Sequence, residues 1–258
     1  EYNMYNKIST QISLNYENPK VLGIVGIRSG SKGIPNKNIR TLKNKPLVGW
    51  ILEAAQKSKF INKLVVSTDS EDYAKIVRIF GAETPYIRPE KFSTDHSPEF
   101  DFIKHMLEWL DKNENYKPDI IVRLVATVPL QKSSDIDSVV NILLNDQKAD
   151  SAVVISEARQ HPMKSLKIVK DSEGKEKLVT YFSNSSREVT PIARQSYEKA
   201  YFRSNVIAFK RNTLFKTDSL TGDIVRFHKI EQERAIDIDS EMDFIIAEFL
   251  FNNYRISK

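Results

Sequence analysis

The chain has no cysteine. Disulfides, thiolate zinc sites and cysteine nucleophiles are therefore excluded. No apolar run approaches the ~20 residues that a membrane-spanning helix needs, and a soluble cytoplasmic protein is expected. The four histidines, His96, His105, His161 and His228, share no metal-ligand spacing. Neither H-E-x-x-H nor G-x-S-x-G occurs, so zinc and serine hydrolases have no support. Walker A and G-x-G-x-x-G patterns are missing too, which weakens ATPase, GTPase and dinucleotide readings. Positive charge is only slightly in excess: 39 Lys and Arg against 34 Asp and Glu give +5. These charges are interleaved and no nucleic-acid recognition element is visible. A small polyanion fits better than nucleic acid as a partner.

What the chain does contain is a basic, glycine-bearing loop. Val21 to Ile27 is an apolar run that reads as a buried strand. Arg28, Ser29, Gly30, Ser31, Lys32, Gly33, Ile34, Pro35, Asn36, Lys37 and Asn38 follow it. Glycines let a backbone approach a ligand, consecutive N–H groups can cradle an anion, and Arg and Lys add full charge. The segment is a candidate phosphate cradle; a solvated basic turn is the alternative.

The 258 residues suffice for one large domain. Residues 1–19 are polar and aperiodic and are expected to be a disordered extension. From residue 20 on, short strands alternate with amphipathic helices. Strands are expected at Lys63–Thr68, Glu83–Ile87, Asp119–Val125 and Ala152–Ile155. Helices are expected at Leu47–Lys57, Glu71–Phe80, from Pro98 through Leu110, and at Asp135–Leu144 with Ser133 or Ser134 as N-cap. This alternation predicts an α/β fold of Rossmann-like type, with a mainly parallel sheet covered by helices on both faces. Ligands on such sheets bind beyond the carboxyl ends of the strands. The basic loop, Asp69 and Thr127 all fall there.

After about residue 157 the pattern changes. A hairpin is expected over Leu166–Val169 and Lys177–Tyr181, then a strand at Phe202–Phe209, a helix near Thr213 and a strand at Ile224–Phe227. Asp239–Tyr254 reads as a helix with Met242, Ile245, Ile246, Phe249 and Leu250 on one face. Residues 157–200 look like an insertion between core elements.

Two further groups carry chemistry. In Asp237-Ile238-Asp239, alternation puts both carboxylates on one side of an extended segment. They repel unless a proton or cation intervenes, and Mg²⁺ shared with substrate phosphates would serve. A helix N-terminus with Asp239 or Ser240 as cap is the competing reading. Arg194-Gln195 and Arg203-Ser204-Asn205 place arginines that could grip a carboxylate or phosphate. Arg88 follows the expected Glu83–Ile87 strand and could face the same crevice.

In this order the segments resemble the cytidylyltransferases that activate sialic acids, the CMP-nonulosonate synthetases. That family shows A-R-x-G-S-K-G-x-P-x-K-N where this chain has Arg28 to Asn38. Further matches are Val66-Ser67-Thr68-Asp69, Gly81-Ala82-Glu83, Arg88-Pro89, Thr94-Asp95, His161-Pro162, Arg194-Gln195 and Asp237-Ile238-Asp239. The resemblance runs from about residue 20 to 254. It implies a nucleotidyltransferase fold over residues 20–258, a homodimer, and residues 157–200 as the dimerisation arm. It also implies transfer of CMP from CTP to a nonulosonic acid with release of pyrophosphate. On that basis Arg28, Ser29, Gly30, Ser31 and Lys32 would hold the CTP phosphates. Lys37 and Asn38 would lie beside the nucleotide, and Arg88 would help bind the cytidine part. Val125, Thr127, Arg194, Gln195, Arg203 and Asn205 would approach the sugar. Asp237 and Asp239 would bind Mg²⁺, with Asp239 the candidate to help deprotonate the attacking hydroxyl.

The chain departs from the family where L-Q-P-T-S-P-L-R is usual. It has Leu124-Val125-Ala126-Thr127-Val128-Pro129-Leu130-Gln131. Valine has no hydrogen-bonding group where the family places a Gln at the sugar site. Val206 stands where the family has Gly, and is expected to narrow the space near the sugar. A modified nonulosonate, deoxy and diamino, is therefore expected rather than N-acetylneuraminate. A 3-deoxy-octulosonate cytidylyltransferase is the nearest rival; its R-L-P-G-K string is replaced here by Gly33-Ile34-Pro35-Asn36-Lys37. A sugar-1-phosphate nucleotidyltransferase and a catalytically silent CTP-binding protein are more distant rivals.

Overall fold

A computed structural model describes residues 18–30, 33–94, 96–182, 185 and 196–253. Ser31, Lys32, Asp95, Arg194, Gln195 and the expected N-terminal extension up to residue 17 lie outside the described residues. Among the described residues, no helix is long and apolar enough to cross a membrane.

The chain begins with β1 (Val21–Ile27), a short ribbon of β2 (Thr41–Leu42) and β3 (Lys45–Pro46), and α1 (Leu47–Gln56). β4 (Lys63–Thr68), α2 (Glu71–Ile79), α3 (Glu99–Glu114), β5 (Ile120–Leu124), α4 (Ser133–Asn145) and β6 (Ser151–Glu157) follow. Next come the hairpin of β7 (Leu166–Lys170) and β8 (Glu176–Thr180), then β9 (Tyr201–Lys210), α5 (Arg211–Thr217), β10 (Val225–Ile230) and α6 (Glu241–Asn253). The main sheet has the order β10-β6-β9-β5-β1-β4. Its pairs are parallel except those of β9, which runs antiparallel between β5 and β6. The reversal has a topological cause. Among the described residues no α-helix lies between β6 and β9; beyond β6 the chain forms the β7–β8 hairpin as a separate two-stranded sheet, and β9 runs back from that same end.

Alternation along β1 sends Val21, Val25 and Ile27 to one face and Leu22 and Ile24 to the other. The first face packs on α1, α2 and α4, the second on Phe102, Ile103, Met106, Leu107 and Leu110 of α3. A third cluster joins Ile34 of the basic loop to Leu42, Leu47, Ile236, Ile238 and Phe244. It ties the loop to the start of α6.

Several local expectations are corrected. Glu83–Ile87 forms no strand but a single bridge, Val65 with Glu83. Pro85 lacks the N–H that would continue the ladder. Neither Ser133 nor Ser134 caps α4; the Asp135 carboxylate accepts the Lys132 N–H at 2.8 Å instead. On α6 the buried side chains are Phe244 and Ala247, whereas Met242, Ile245 and Phe249 are about three-fifths exposed (63%, 59% and 62%). That helix is apolar on several sides, so its pattern does not say which stripe faces the core.

Asp135 also steers the approach to the site. It is 1% exposed and takes a two-pronged ion pair from Arg234, at 2.6 and 3.1 Å. Arg234 lies in the 3₁₀ turn Gln232–Ala235, just before Asp237. The pair therefore fastens that segment to α4. Replacing Asp135 by Ala leaves a largely buried guanidinium with Glu231 alone, and urea denaturation should show a loss of about 3 kcal/mol.

Tyr86 Oη lies 2.7 Å from His105 Nδ1, and the imidazole packs on Phe92. Burial first, then Lys91, lowers the His105 pKa from its ordinary 6.5. The folded protein thus binds this proton more weakly than the unfolded chain, so stability rises with pH. His105 should contribute fully above pH 6.5 and lose that contribution as pH falls through the lower folded value. Replacing His105 by Gln should flatten the acid side of a denaturation-midpoint profile.

Candidate active site

Beyond the carboxyl ends of β1 and β5 lies a cavity of about 540 Å³. Gly26, at the end of β1, faces the Phe102 ring so closely that a Cβ would overlap it. Its missing side chain lets that ring form part of the wall. The Arg88 guanidinium sits over the same ring, 4.9 Å from its centre. Arg88 is 6% exposed and donates to the Ile27 carbonyl at 3.1 Å, while its Nε has no hydrogen-bond partner. Burial lowers its pKa, and Asp69 opposes that shift. A buried guanidinium with a spare donor facing a cavity is suited to an anion or a carbonyl oxygen.

The basic loop borders this cavity, but its backbone is partly committed. Asp69, just after β4, accepts from the Ser29 N–H at 2.9 Å and from its hydroxyl at 3.2 Å. Ser29 thus anchors the loop to β4, and its N–H is not available to a ligand. Gly30 has open space around it. Arg28 and Gly33 line the cavity. At Gly33 a Cβ would stand 2.8 Å from the Asp239 carbonyl oxygen, so only glycine lets the loop pass that close. Asn38 lines the cavity and donates from its amide to the Arg28 carbonyl at 3.2 Å.

The carboxylates arrive on the segment that precedes α6, beside the basic loop. Ile236 and Ile238 are buried, and between and beyond them Asp237 and Asp239 face the cavity. The Ile238 N–H donates to the Thr127 carbonyl at 2.9 Å, which fixes the register of the segment against the loop after β5. Lys37 Nζ donates to the Ile238 carbonyl at 2.7 Å and to Asp239 Oδ1 at 3.0 Å. The helix-cap reading holds for Ser240, one of its two candidates. Ser240 and Asp243 cap α6 reciprocally: Asp243 accepts from the Ser240 N–H at 2.8 Å, and Ser240 Oγ from the Asp243 N–H at 3.3 Å. Asp237 and Asp239 remain for the cavity.

Asn205 reaches Asp237 because β9 bulges. Val153 pairs with Ile207 but Ile155 with Arg203, so Ser204, Asn205 and Val206 together face Val154. Asn205 takes the left-handed conformation, φ 58°, which asparagine tolerates better than most residues. Gln131 holds the bulge by donating to the Ser204 hydroxyl at 2.8 Å. The Asn205 amide donates to Asp237 Oδ2 at 2.5 Å, while Asp237 Oδ1 is buried without a hydrogen-bond partner. An orphaned carboxylate oxygen beside a second carboxylate fits a hard divalent cation bound by few protein ligands and completed by substrate phosphates. Among the described residues no group of three or more His, Asp or Glu is poised for a metal, which accords with that sparse mode.

Of the residues expected from the sequence, Arg28, Lys37, Asn38, Arg88, Val125, Thr127, Asn205, Asp237 and Asp239 meet in this cavity. Arg203 is exposed on β9 and is not among its lining residues. The expectation for Val206 is corrected: it is 1% exposed and packs in the core facing α1, α2 and α4, so it does not narrow the site. Val128 is likewise buried away from the lining. Two charged lining residues escaped the sequence reading, Glu99 at the start of α3 and Arg123 on β5. Arg123 had a signal: a lone charge inside the apolar run Ile120 to Val125, two positions before Val125.

A family model described as Cytidylyltransferase matches residues 22–250. The chain belongs to the cytidylyltransferase family. It is similar to the post-translational flagellin modification protein B of Campylobacter coli, 31% identical over 238 residues, covering 92% of this chain and 97% of that protein. It is 29% identical over 241 residues to the CMP-N,N'-diacetyllegionaminic acid synthase of Campylobacter jejuni, covering 92% and 97%. The N-acylneuraminate cytidylyltransferase of Escherichia coli is 28% identical over 228 residues, and the alignment spans 88% of this chain but only 51% of that one. Among solved structures, a CMP:2-keto-3-deoxy-manno-octonic acid synthetase complexed with CTP superposes with a TM-score of 0.64 at 16% identity, covering 90% and 98%. A 4-diphosphocytidyl-2C-methyl-D-erythritol synthase from Anaerococcus prevotii gives 0.58 at 13%. These two establish the fold, a nucleotidyltransferase α/β sheet with one antiparallel strand.

In this cytidylyltransferase the Asn205 amide occupies one Asp237 oxygen and leaves the other to the cavity. Asn205→Gly keeps the left-handed backbone and removes only the amide. Calorimetric titration with Mn²⁺ in the presence of CTP should show affinity reduced about 10-fold or more, as for other partners that orient metal ligands. An unchanged affinity would mean that Asp237 needs no such support.

Proposed function

We propose that this cytidylyltransferase transfers CMP from CTP to a modified nonulosonic acid and releases pyrophosphate. The observation that carries the reading is the pair Asp237 and Asp239, which line one cavity together with Arg28, Lys37 and Arg88. Such an arrangement suits a triphosphate with a divalent cation better than a neutral ligand. The relatives named for legionaminic acid and flagellin modification support a modified sugar. So does Val125, which offers no hydrogen bond on the cavity wall.

The sugar's anomeric hydroxyl oxygen attacks the α-phosphorus, and the bond from that phosphorus to the bridging oxygen breaks. Pyrophosphate leaves with that electron pair, and the hydroxyl proton passes to a base. Arg28 and Lys32 neutralise phosphate charge that grows in the transition state, and Arg88 secures the cytidine end. Asp239 sits at the rim, oriented by Lys37, and is our candidate to draw the proton. Asp237 and Asp239 would hold Mg²⁺, which when bound would offset phosphate charge and favour the leaving group. Arg194 and Gln195, in the arm, would approach the sugar.

Dimerisation through that arm is part of the same reading. Ile168 and Leu178 on the hairpin, Tyr181 and Phe182 after it, and Phe202 and Phe227 on β9 and β10 are all exposed large hydrophobics. An apolar surface of this kind marks an association site, and a second copy of the chain is the partner we assign. Sedimentation velocity should give a dimer that Ile168→Asp shifts towards monomer.

Pyrophosphate release from CTP, assayed over a panel of keto-acid sugars, tests the activity. A modified nonulosonate should exceed N-acetylneuraminate and 3-deoxy-octulosonate in kcat/KM. Asp239→Asn should lower kcat by about 100-fold or more with an unchanged melting temperature. Tight CTP binding without turnover of any sugar would favour a silent nucleotide-binding protein.

A further inference from the structure

Arg123 and Glu99 form an ion pair inside the cavity for which the reaction described above has no use. Arg123 Nη2 lies 2.6 and 2.5 Å from the two Glu99 oxygens, and its Nη1 donates to the Asn205 carbonyl at 3.1 Å. The guanidinium is 11% exposed and its Nε has no hydrogen-bond partner. The Glu99 side chain is 47% exposed, and both residues line the cavity. Their neighbours there include Val125, Ala126 and the Phe102 ring, none of which offers a side-chain hydrogen bond. A charged pair that lines the cavity beside Val125, and that is joined to Asp237 through Asn205, is placed to touch the second substrate.

We infer that the Arg123–Glu99 pair, with Val125 beside it, is the sugar-specificity element of this cavity and takes an acylamino substituent. The chemistry is complementary. A carboxylate accepts the amide N–H, a guanidinium donates to the amide carbonyl, and the acyl methyl lies on Val125 and Ala126. A hydroxyl can meet both members only through its single oxygen, whereas an amide presents donor and acceptor on separate atoms, and the hydroxyl would leave the valine surface uncovered. Asn205 links the element to the reacting end: its carbonyl orients Arg123 and its amide orients Asp237. The inference rests on the sugar half of the proposed function.

The test compares pairs of nonulosonates that differ only in acetamido against hydroxyl, at C5 in one pair and at C7 in the other. Pyrophosphate release gives kcat/KM for each. The unaltered enzyme should prefer acetamido at one of these carbons by about 10- to 100-fold, less than fully buried polar sites achieve because Glu99 is half exposed. Glu99→Gln should reduce that ratio to within about threefold, and Arg123→Lys, which loses the planar fork, should do the same. Calorimetric CTP binding and the melting temperature report whether each variant is folded. A ratio that stays high in both folded variants, or a Glu99→Gln variant that loses both sugars equally, overturns the inference. So does an unaltered enzyme with no preference at either carbon, whatever the variants do. Turnover of no nonulosonate at all removes the proposed function as well, whereas turnover without preference removes this inference alone.

Discussion

The hydrogen bond from the Ile238 N–H to the Thr127 carbonyl holds the two halves of this site together. It docks an extended segment, with no strand partner of its own, against the loop that follows β5. With that register set, Ile236 and Ile238 point into the core and Asp237 and Asp239 into the cavity; a slip of one residue would exchange them. Gly33 passes within van der Waals contact of the same segment, and the Arg234–Asp135 pair fastens the turn before it. Loop, carboxylates and sheet are thus one assembly, in which each part sets the position of the next.

The second organising feature is the bulge in β9. An antiparallel strand in the middle of a parallel sheet would ordinarily direct alternate side chains to the two helical layers. The extra residues opposite Val154 break that alternation, and the left-handed Asn205 turns its amide to Asp237 and its carbonyl to Arg123. Bulges commonly re-aim side chains beside active sites. Here one residue hydrogen-bonds both the Asp237 carboxylate and the Arg123 guanidinium. The strand reversal that makes this possible follows from the excursion between Glu157 and Tyr201.

Much was legible in particular segments. The basic loop after β1, the alternation in Asp237-Ile238-Asp239 and the helical spacing from Phe102 to Leu110 all carry short-range signals that the fold obeys. Arg88 was legible as a charge just after an expected strand, whereas Asn205 gained a role only through the family motifs. Glu99 and Arg123 were not read, because the pairing joins a helix N-terminus to a central strand 24 positions away. The exposed stripe of α6 was misread because that helix is apolar on more than one side.

The sequence by itself determined most of the element order, the largely parallel α/β character of the sheet, the basic glycine-bearing loop and the existence of a carboxylate pair. Periodicity, capping chemistry and residue type act over a few neighbours, so they are written locally. Tertiary structure alone decided which backbone groups were already spent, as with the Ser29 N–H held by Asp69. It also decided that Val206 faces the core and that Arg123 pairs with Glu99 inside the cavity. Those outcomes depend on strand order and on a bulge, which bring distant residues within hydrogen-bonding distance and leave no trace in local spacing.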